Sequence, residues 1–348
     1  MAKLLDVPVV VVLDVWGMTR TTGAILDGLV AFDPDVRIAG CILNRVGSAT
    51  HAQMIIDALA PRLRPLVIGA IEHRPELAIP ERHLGLVTRA ENATTASARE
   101  EAFGHAGDAL DIDRLVSIAG VRTANRAPSA SAAANVPPLA RTAVARDRAF
   151  CFYYEENLPA LREAGFDVVP FAPTCDRQLP AGSDAVYIGG GYPESFAAEL
   201  EANTSLAAEL RDHTAGGMPL YAECGGLMYL GRSLTGFGGV RHEMSDVLPV
   251  DVVMDPAHLA IRYVEVRTRV PSALGDVGTT LRGQEFHQSR IVREDIEPTL
   301  FDAFTSDGKT SRDGYVFQNV VASYIHVHFA SNRSVVANLL RVAMSTRR

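Results

Sequence analysis

Residues 185–230 read AVYIGGGYPESFAAELEANTSLAAELRDHTAGGMPLYAECGGLMYL. The apolar run Ala185–Ile188 has strand length and passes directly into Gly189-Gly190-Gly191-Tyr192-Pro193-Glu194. Residues 195–215 are expected to form a helix, residues 219–222 a second short strand, and residues from 227 the start of another helix. Alternation of this kind implies layered α/β structure. Cys224, followed by Gly225 and Gly226, falls in the turn between the second strand and its helix.

That position gives Cys224 the setting of a nucleophile elbow. A tight turn exposes the thiol, and the helix terminus that follows favours a thiolate. The same local sequence also fits a buried structural cysteine beside a turn. Three glycines after an apolar strand let backbone amides approach a ligand unobstructed, as an oxyanion site requires. A tight loop at a sheet edge would carry the same run. It is neither GxxxxGK[ST] nor GxGxxG, so it is not a phosphate loop. A thiol nucleophile also needs a base. His326 and His328 lie in VASYIHVHF, residues 321–329, where strand spacing turns both side chains to one face. His287, in RGQEFHQS, is a third candidate, and any one of these histidines also fits a packed core position. Their spacing is not diagnostic of a metal site, so metal ligands are unknown and no bound metal is expected in this chain.

Working outward, residues 142–145, 157–164 and 167–171 read as strand, helix and strand. Residues 123–140, TANRAPSASAAANVPPLA, have no helix or strand period and read as a linker, with the boundary near residue 135. Before the linker, residues 7–13, VPVVVVL, read as a buried strand of a parallel sheet covered on both faces. Residues 22–32 then read as a helix, 36–44 as a strand, 52–59 as a helix and 66–71 as a strand. The expected domains are therefore 1–122, a linker over 123–140, and 141–345.

A chain of 348 residues suits about two domains, and 47% hydrophobic content is ample for their cores. The net charge of −8 gives no global pull toward nucleic acid and leaves room only for a local basic patch. Cys41, Cys151, Cys175 and Cys224 form no CxxC pair, so neither a zinc knuckle nor a disulfide framework is indicated. A reducing, cytoplasmic setting fits best. No signal-peptide pattern is present, and residues 7–13 are too short to span a membrane.

The stretches ARDRAFCFYYEENLPALREAG, YIGGGYPE, YAECGGLMYLG, RGQEFHQSR and NVVASYIHVHF resemble the cobyrinate a,c-diamide synthase family. In the first half, AKLLDVPVVVVLD, AGCILNRVGSATH and PERHLGLV resemble the same family's synthetase domain. The resemblance runs from Ala2 to about residue 340. It implies a P-loop-type synthetase domain, incomplete here, followed by a class I glutamine amidotransferase domain with an open, mostly parallel sheet.

It further implies an ATP-dependent, glutamine-hydrolysing amide ligase of cobalamin biosynthesis. L-Glutamine is hydrolysed through a cysteine thioester. The ammonia then amidates the a and c acetates of a tetrapyrrole acid, cobyrinate or hydrogenobyrinate, activated with ATP and Mg2+. Cys224 matches the family's nucleophile and His326 its histidine. Where other class I amidotransferases carry a glutamate, two residues after that histidine, this chain has His328. Gly189, Gly190, Gly191 and Gly225 would form the oxyanion or glutamine pocket. Asn44 would hydrogen-bond adenine, although its local sequence also fits an Asx turn. Arg82 and His83 match a motif near the active cleft and otherwise read as a solvated charged loop. The family's GxxxxGK[ST] loop is not found, so the expectation is a further amino-terminal segment, a mis-called start or a partner chain, and failure of this chain alone as a synthase. A homodimer is compatible with the reading. The alternatives are a related enzyme such as a Ni-sirohydrochlorin a,c-diamide synthase, or a non-catalytic binding or regulatory protein on the same fold.

Overall fold

The structure is a computed structural model, which describes residues 1–75, 78, 96–120 and 137–346. The chain divides into two units, Met1–Ala130 and Ser131–Arg348. Arg82, His83 and most of the expected linker lie outside the described residues.

The first unit runs α1 (Ala2–Leu5), β1 (Val9–Asp14), α2 (Arg20–Phe32), β2 (Ile38–Val46), α3 (Ala49–Ala58), β3 (Val67–Glu72), α4 (Ala96–Asp108) and α5 (Ile112–Ala119). The three strands form a parallel sheet in the order β1-β2-β3. Parallel neighbours need crossovers, and α2 and α3 provide them. Ser48 caps α3 by accepting from the His51 amide at 3.1 Å, and Asp111 caps α5 by accepting from the Arg114 amide at 2.9 Å. Leu26, Cys41, Leu43, Ile55 and Leu59 make the core, with Cys41 and Leu43 on the central strand. β1 departs from the buried strand expected for residues 7–13. It lies at the edge of the described sheet, and Val12 is 58% exposed.

The second unit begins with β4 (Ala140–Ala145), β5 (Phe150–Phe152), α6 (Asn157–Ala164), β6 (Phe166–Phe171), β7 (Ala185–Ile188) and β8 (Gly190–Gly191). It continues with α7 (Ala197–Ala202), α8 (Thr204–Ala215), β9 (Leu220–Glu223) and α9 (Gly225–Leu230). Then come β10 (Ser233–Thr235), β11 (Arg241–Glu243), β12 (Val250–Met254), β13 (Ala260–Thr268), β14 (Thr280–His287) and β15 (Ser289–Glu294). The last elements are β16 (Phe301–Thr305), β17 (Thr310–Asp313), β18 (Tyr315–Phe317), β19 (Val320–Ser323), β20 (His326–Val327) and α10 (Ser334–Ser345).

A six-stranded sheet, ordered β18-β19-β9-β7-β4-β6, is parallel except for β18. Its strands bury both faces, because successive side chains alternate between them. Ile188, Ala222 and Ala322 enter a core with Phe150, Leu200 and Tyr229. Tyr187, Tyr221 and Val321 enter the opposite one, with Leu158, Phe301 and Phe329. The unit adds a mixed four-stranded sheet, β11-β10-β12-β15, and an antiparallel five-stranded sheet, β17-β16-β13-β14-β20. It is therefore an α/β unit of mixed parallel and antiparallel sheets.

The single helix expected over residues 195–215 is broken at Asn203. Its side chain accepts from the Leu206 amide and donates to the carbonyls of Pro173 and Asp176, at 2.8 and 2.7 Å. Three tertiary and capping bonds outweigh the continuous helical ladder there.

Asn157, fully buried at the start of α6, holds the segment that carries His326. Its Nδ2 donates to the Val327 carbonyl and its Oδ1 accepts from the Phe329 amide, both at 2.8 Å. Asn157→Ala leaves two buried backbone groups without partners, at about 1–3 kcal/mol each. The expected loss of 2 kcal/mol or more, about that sum, is read from the urea midpoint at constant slope. A loss below about 1 kcal/mol would show that these bonds do not hold the segment.

Candidate active site

Cys224 joins β9 to α9 with φ 49° and ψ −105°, a backbone conformation that side-chain-bearing residues rarely adopt. Two bonds hold it there. Its amide donates to the Ser323 carbonyl of β19 at 2.8 Å, and its carbonyl accepts from the Met228 amide at 3.1 Å. The thiol is buried and points toward the Phe286 carbonyl, 3.8 Å away.

The turn closes only because its neighbours lack side chains. A Cβ on Gly225 would stand 2.9 Å from Pro193 Cδ and 3.0 Å from the Gly191 nitrogen. A Cβ on Gly226 would overlap the Ile188 carbonyl. On Gly191 it would overlap the Ala149 carbonyl, and on Gly190 the His326 ring at Cε1 and Nε2. Close backbone approach thus brings Gly190, Gly191, Gly225 and His326 together beside the elbow. Gly189 belongs to the same turn, where its amide donates to the Tyr153 hydroxyl at 2.9 Å.

His326 is buried, and its Nδ1 lies 3.8 Å from Oε2 of Glu223. Glu223, the residue before the cysteine, is fully buried. Its Oε2 accepts from the Tyr187 hydroxyl at 2.8 Å. Its Oε1 accepts from the Tyr221 hydroxyl at 2.6 Å and the Val327 amide at 2.9 Å. Sequence reasoning assigned this residue no role. The available signal was a carboxylate inside an apolar strand, which demands buried donors.

Burial governs the protonation states. It raises the Glu223 carboxyl to about 7 against the pull of its three donors. It lowers His326 to about 4, with the charge of His287 adding to the effect. It pushes the Cys224 thiol well above its ordinary range, and Glu194, Glu223 and Glu285 push the same way. The Gly225 amide pulls it down, but more weakly. The thiolate expected from the helix terminus is therefore not the resting form. A six-residue helix offers too little compensation for complete desolvation. With the thiol and the imidazole both neutral, attack requires proton transfer.

His326 and His328 meet different surroundings. β20 ends at Val327, and His328 precedes a 3-10 turn, Phe329–Ser331. Its ring packs on Tyr154 at 4.6 Å between centroids, and its Nε2 lies 3.8 Å from Glu156 Oε2. His287 is buried and stacked on Tyr324. Its Nε2 bonds Glu285 Oε1 at 2.9 Å, and its Nδ1 bonds the Ser289 carbonyl at 3.0 Å. Both its ring nitrogens are engaged.

In the first unit, Asn44 lies within β2, which extends beyond the expected strand end to Val46. A cavity of about 370 Å3 is lined by Asn44, Arg45, Ile71, Glu72, His73 and Arg74. Trp16 backs its cationic wall, with His73 edge-on at 4.7 Å and the Arg45 guanidinium 5.6 Å from its centroid. Among the described residues, no group of three or more His, Cys, Asp or Glu is placed to hold a metal ion. No helix among them is long and apolar enough to cross a membrane.

An elbow cysteine, a glycine-lined backbone and a buried histidine form a site suited to acyl transfer, and the second unit contains a glutamine amidotransferase domain. Residues 141–334 match the CobB/CobQ-like glutamine amidotransferase domain. The cobyrinate a,c-diamide synthase of Dehalococcoides mccartyi is 36% identical over 98% of this chain and 75% of the relative. That of Syntrophotalea carbinolica is 37% identical over 95% and 73%, and that of Leptospira interrogans 38% over 98% and 74%. The chain belongs to the cobyrinate a,c-diamide synthase family.

Proposed function

We propose that this chain draws ammonia from L-glutamine at Cys224 for amidation of the a and c acetate carboxylates of cobyrinate or hydrogenobyrinate. The observation that carries the hydrolytic half is the convergence of the strained Cys224 elbow, Gly190, Gly191, Gly225 and the His326 ring. Cys224 Sγ bonds to the carboxamide carbon while His326 takes the thiol proton. The C–N bond then breaks, and that proton leaves with ammonia. Water opens the thioester, releasing glutamate and restoring the thiol. Backbone amides of the glycine segments hold the oxyanion. His326 at about 4 is unprotonated at neutral pH, as a base must be.

The amidation half requires ATP and Mg2+ to activate the carboxylates. In the first unit, the cavity lined by Asn44, Arg45 and His73 is the candidate place for the nucleotide base, with the Asn44 amide to hydrogen-bond it. Arg82 and His83 remain candidates for the active cleft.

The test compares two histidine variants and an electrophilic glutamine analogue. The analogue should add covalently to Cys224, seen by peptide mass spectrometry. His326→Ala should reduce glutamine hydrolysis by about 10²–10⁴-fold, the usual worth of a positioned acid–base group. His328→Ala, which changes contacts with Tyr154 and Glu156, should cost less than about tenfold. Equal losses, or an unmodified Cys224, would overturn the assignment.

A further inference from the structure

His326 lacks a carboxylate two residues downstream, because that place is taken by His328. The structure supplies one from another strand. Glu223 ends β9, immediately before the elbow, and His326 opens β20. Glu223 Oε2 lies 3.8 Å from His326 Nδ1, while the Cε1 and Nε2 atoms of the ring are its nearest to Gly190.

We propose that Glu223 is the positioning residue for His326, caged by Tyr187, Tyr221 and the Val327 amide, and that it replaces the missing downstream glutamate. The inference rests on the glutaminase reading above. It assigns the Nδ1 proton to the Glu223 side of the ring. Nε2 then carries the free lone pair toward the glycine turn, where the thiol proton must go.

The cage explains how a fully buried carboxylate stays in place. Tyr187 reaches it from β7, Tyr221 from β9 itself, and Val327 from β20. The two tyrosine rings stack at 5.1 Å between centroids and pack on Phe329. The Val327 bond ties the carboxylate to the backbone next to His326. Tyr153, Tyr154 and Cys224 are the other titratable groups that feel its charge. All three are pushed upward and are neutral at pH 7, and His326 is the base that lies within 4 Å of the carboxylate among the described residues. When Cys224 gives up its proton, the imidazolium forms beside a carboxylate rather than in a purely apolar wall.

The experiment measures glutamine hydrolysis against pH for the full chain, together with alkylation of Cys224 by iodoacetamide. Wild-type kcat should fall as pH drops through about 7, because protonation of Glu223 removes the charge that supports the imidazolium. Glu223→Gln should lower kcat on the order of a hundredfold, leave KM within about twofold, and abolish that acid limb. Tyr187→Phe keeps the carboxylate but removes a donor that lowers its pKa, so its limb should move to higher pH. It also serves if Glu223→Gln fails to fold. Wild-type kcat in Glu223→Gln, or an unmoved limb in Tyr187→Phe, would overturn the proposal. Failure of wild-type Cys224 to react with the glutamine analogue would instead remove the glutaminase reading beneath it.

Discussion

Cys224→Ala should abolish thioester formation and reduce glutamine hydrolysis by at least about a thousandfold, since an alanine methyl cannot attack an amide. Stability should barely change, because the alanine inherits the same φ of 49° and almost the same burial. Cys224→Gly separates the two properties further. Glycine adopts this conformation without strain, which relieves about 1–3 kcal/mol and returns about 0.5–1 kcal/mol in backbone entropy. The expected result is an inactive protein with unchanged or higher Tm, read by thermal unfolding beside a glutaminase assay. Retained hydrolysis in either variant would remove Cys224 from the reaction. A lower Tm in Cys224→Gly would show that the elbow backbone is unstrained.

The parts of this architecture written in local sequence were legible. Apolar runs passing into glycine at residues 188–189 and 223–226 place two strand ends of the parallel sheet, because little except a close-approach turn needs that pattern. The helix Asn157–Ala164 follows from its own periodicity. The antiparallel sheet was not legible. In β13 the apolar Ile261 and Tyr263 are 64% and 79% exposed, so alternation there points the wrong way. The histidine pair was only partly legible, because spacing alone does not say which partners each ring meets, and Glu223 and Asn157 grip the Val327 and Phe329 amides on either side of His328. Glu223 was invisible as a partner of His326 because two of its three donors come from strands distant in sequence. Tyr187 is 36 residues away and Val327 is 104. The protonation of Cys224 was misjudged because burial, a tertiary property, outweighs one amide at a short helix terminus.

The glycine turn makes the other large prediction, because its two sides meet different obstacles. At Gly226 an added methyl meets the Ile188 carbonyl, which is backbone of the central sheet and cannot rotate away. Gly226→Ala should therefore shift α9 against β7 and cost about 1–3 kcal/mol, as overpacking does, or roughly 2–4 °C of Tm per kcal/mol for a unit of this size. At Gly190 the methyl meets the imidazole of His326, a side chain that can be displaced. Gly190→Ala should keep most of the stability but move the base by about an ångström, which costs on the order of a hundredfold in rate. Both variants are expected to lose glutaminase activity, but only Gly226→Ala should lose Tm in proportion. The comparison needs kcat, Tm and the rate of Cys224 alkylation for each protein. Wild-type kcat in Gly190→Ala would mean that His326 does not work from the place where it packs. A large Tm loss there, matching Gly226→Ala, would mean that the histidine is fixed as firmly as the backbone, held by Glu223 on one side and the glycine turn on the other.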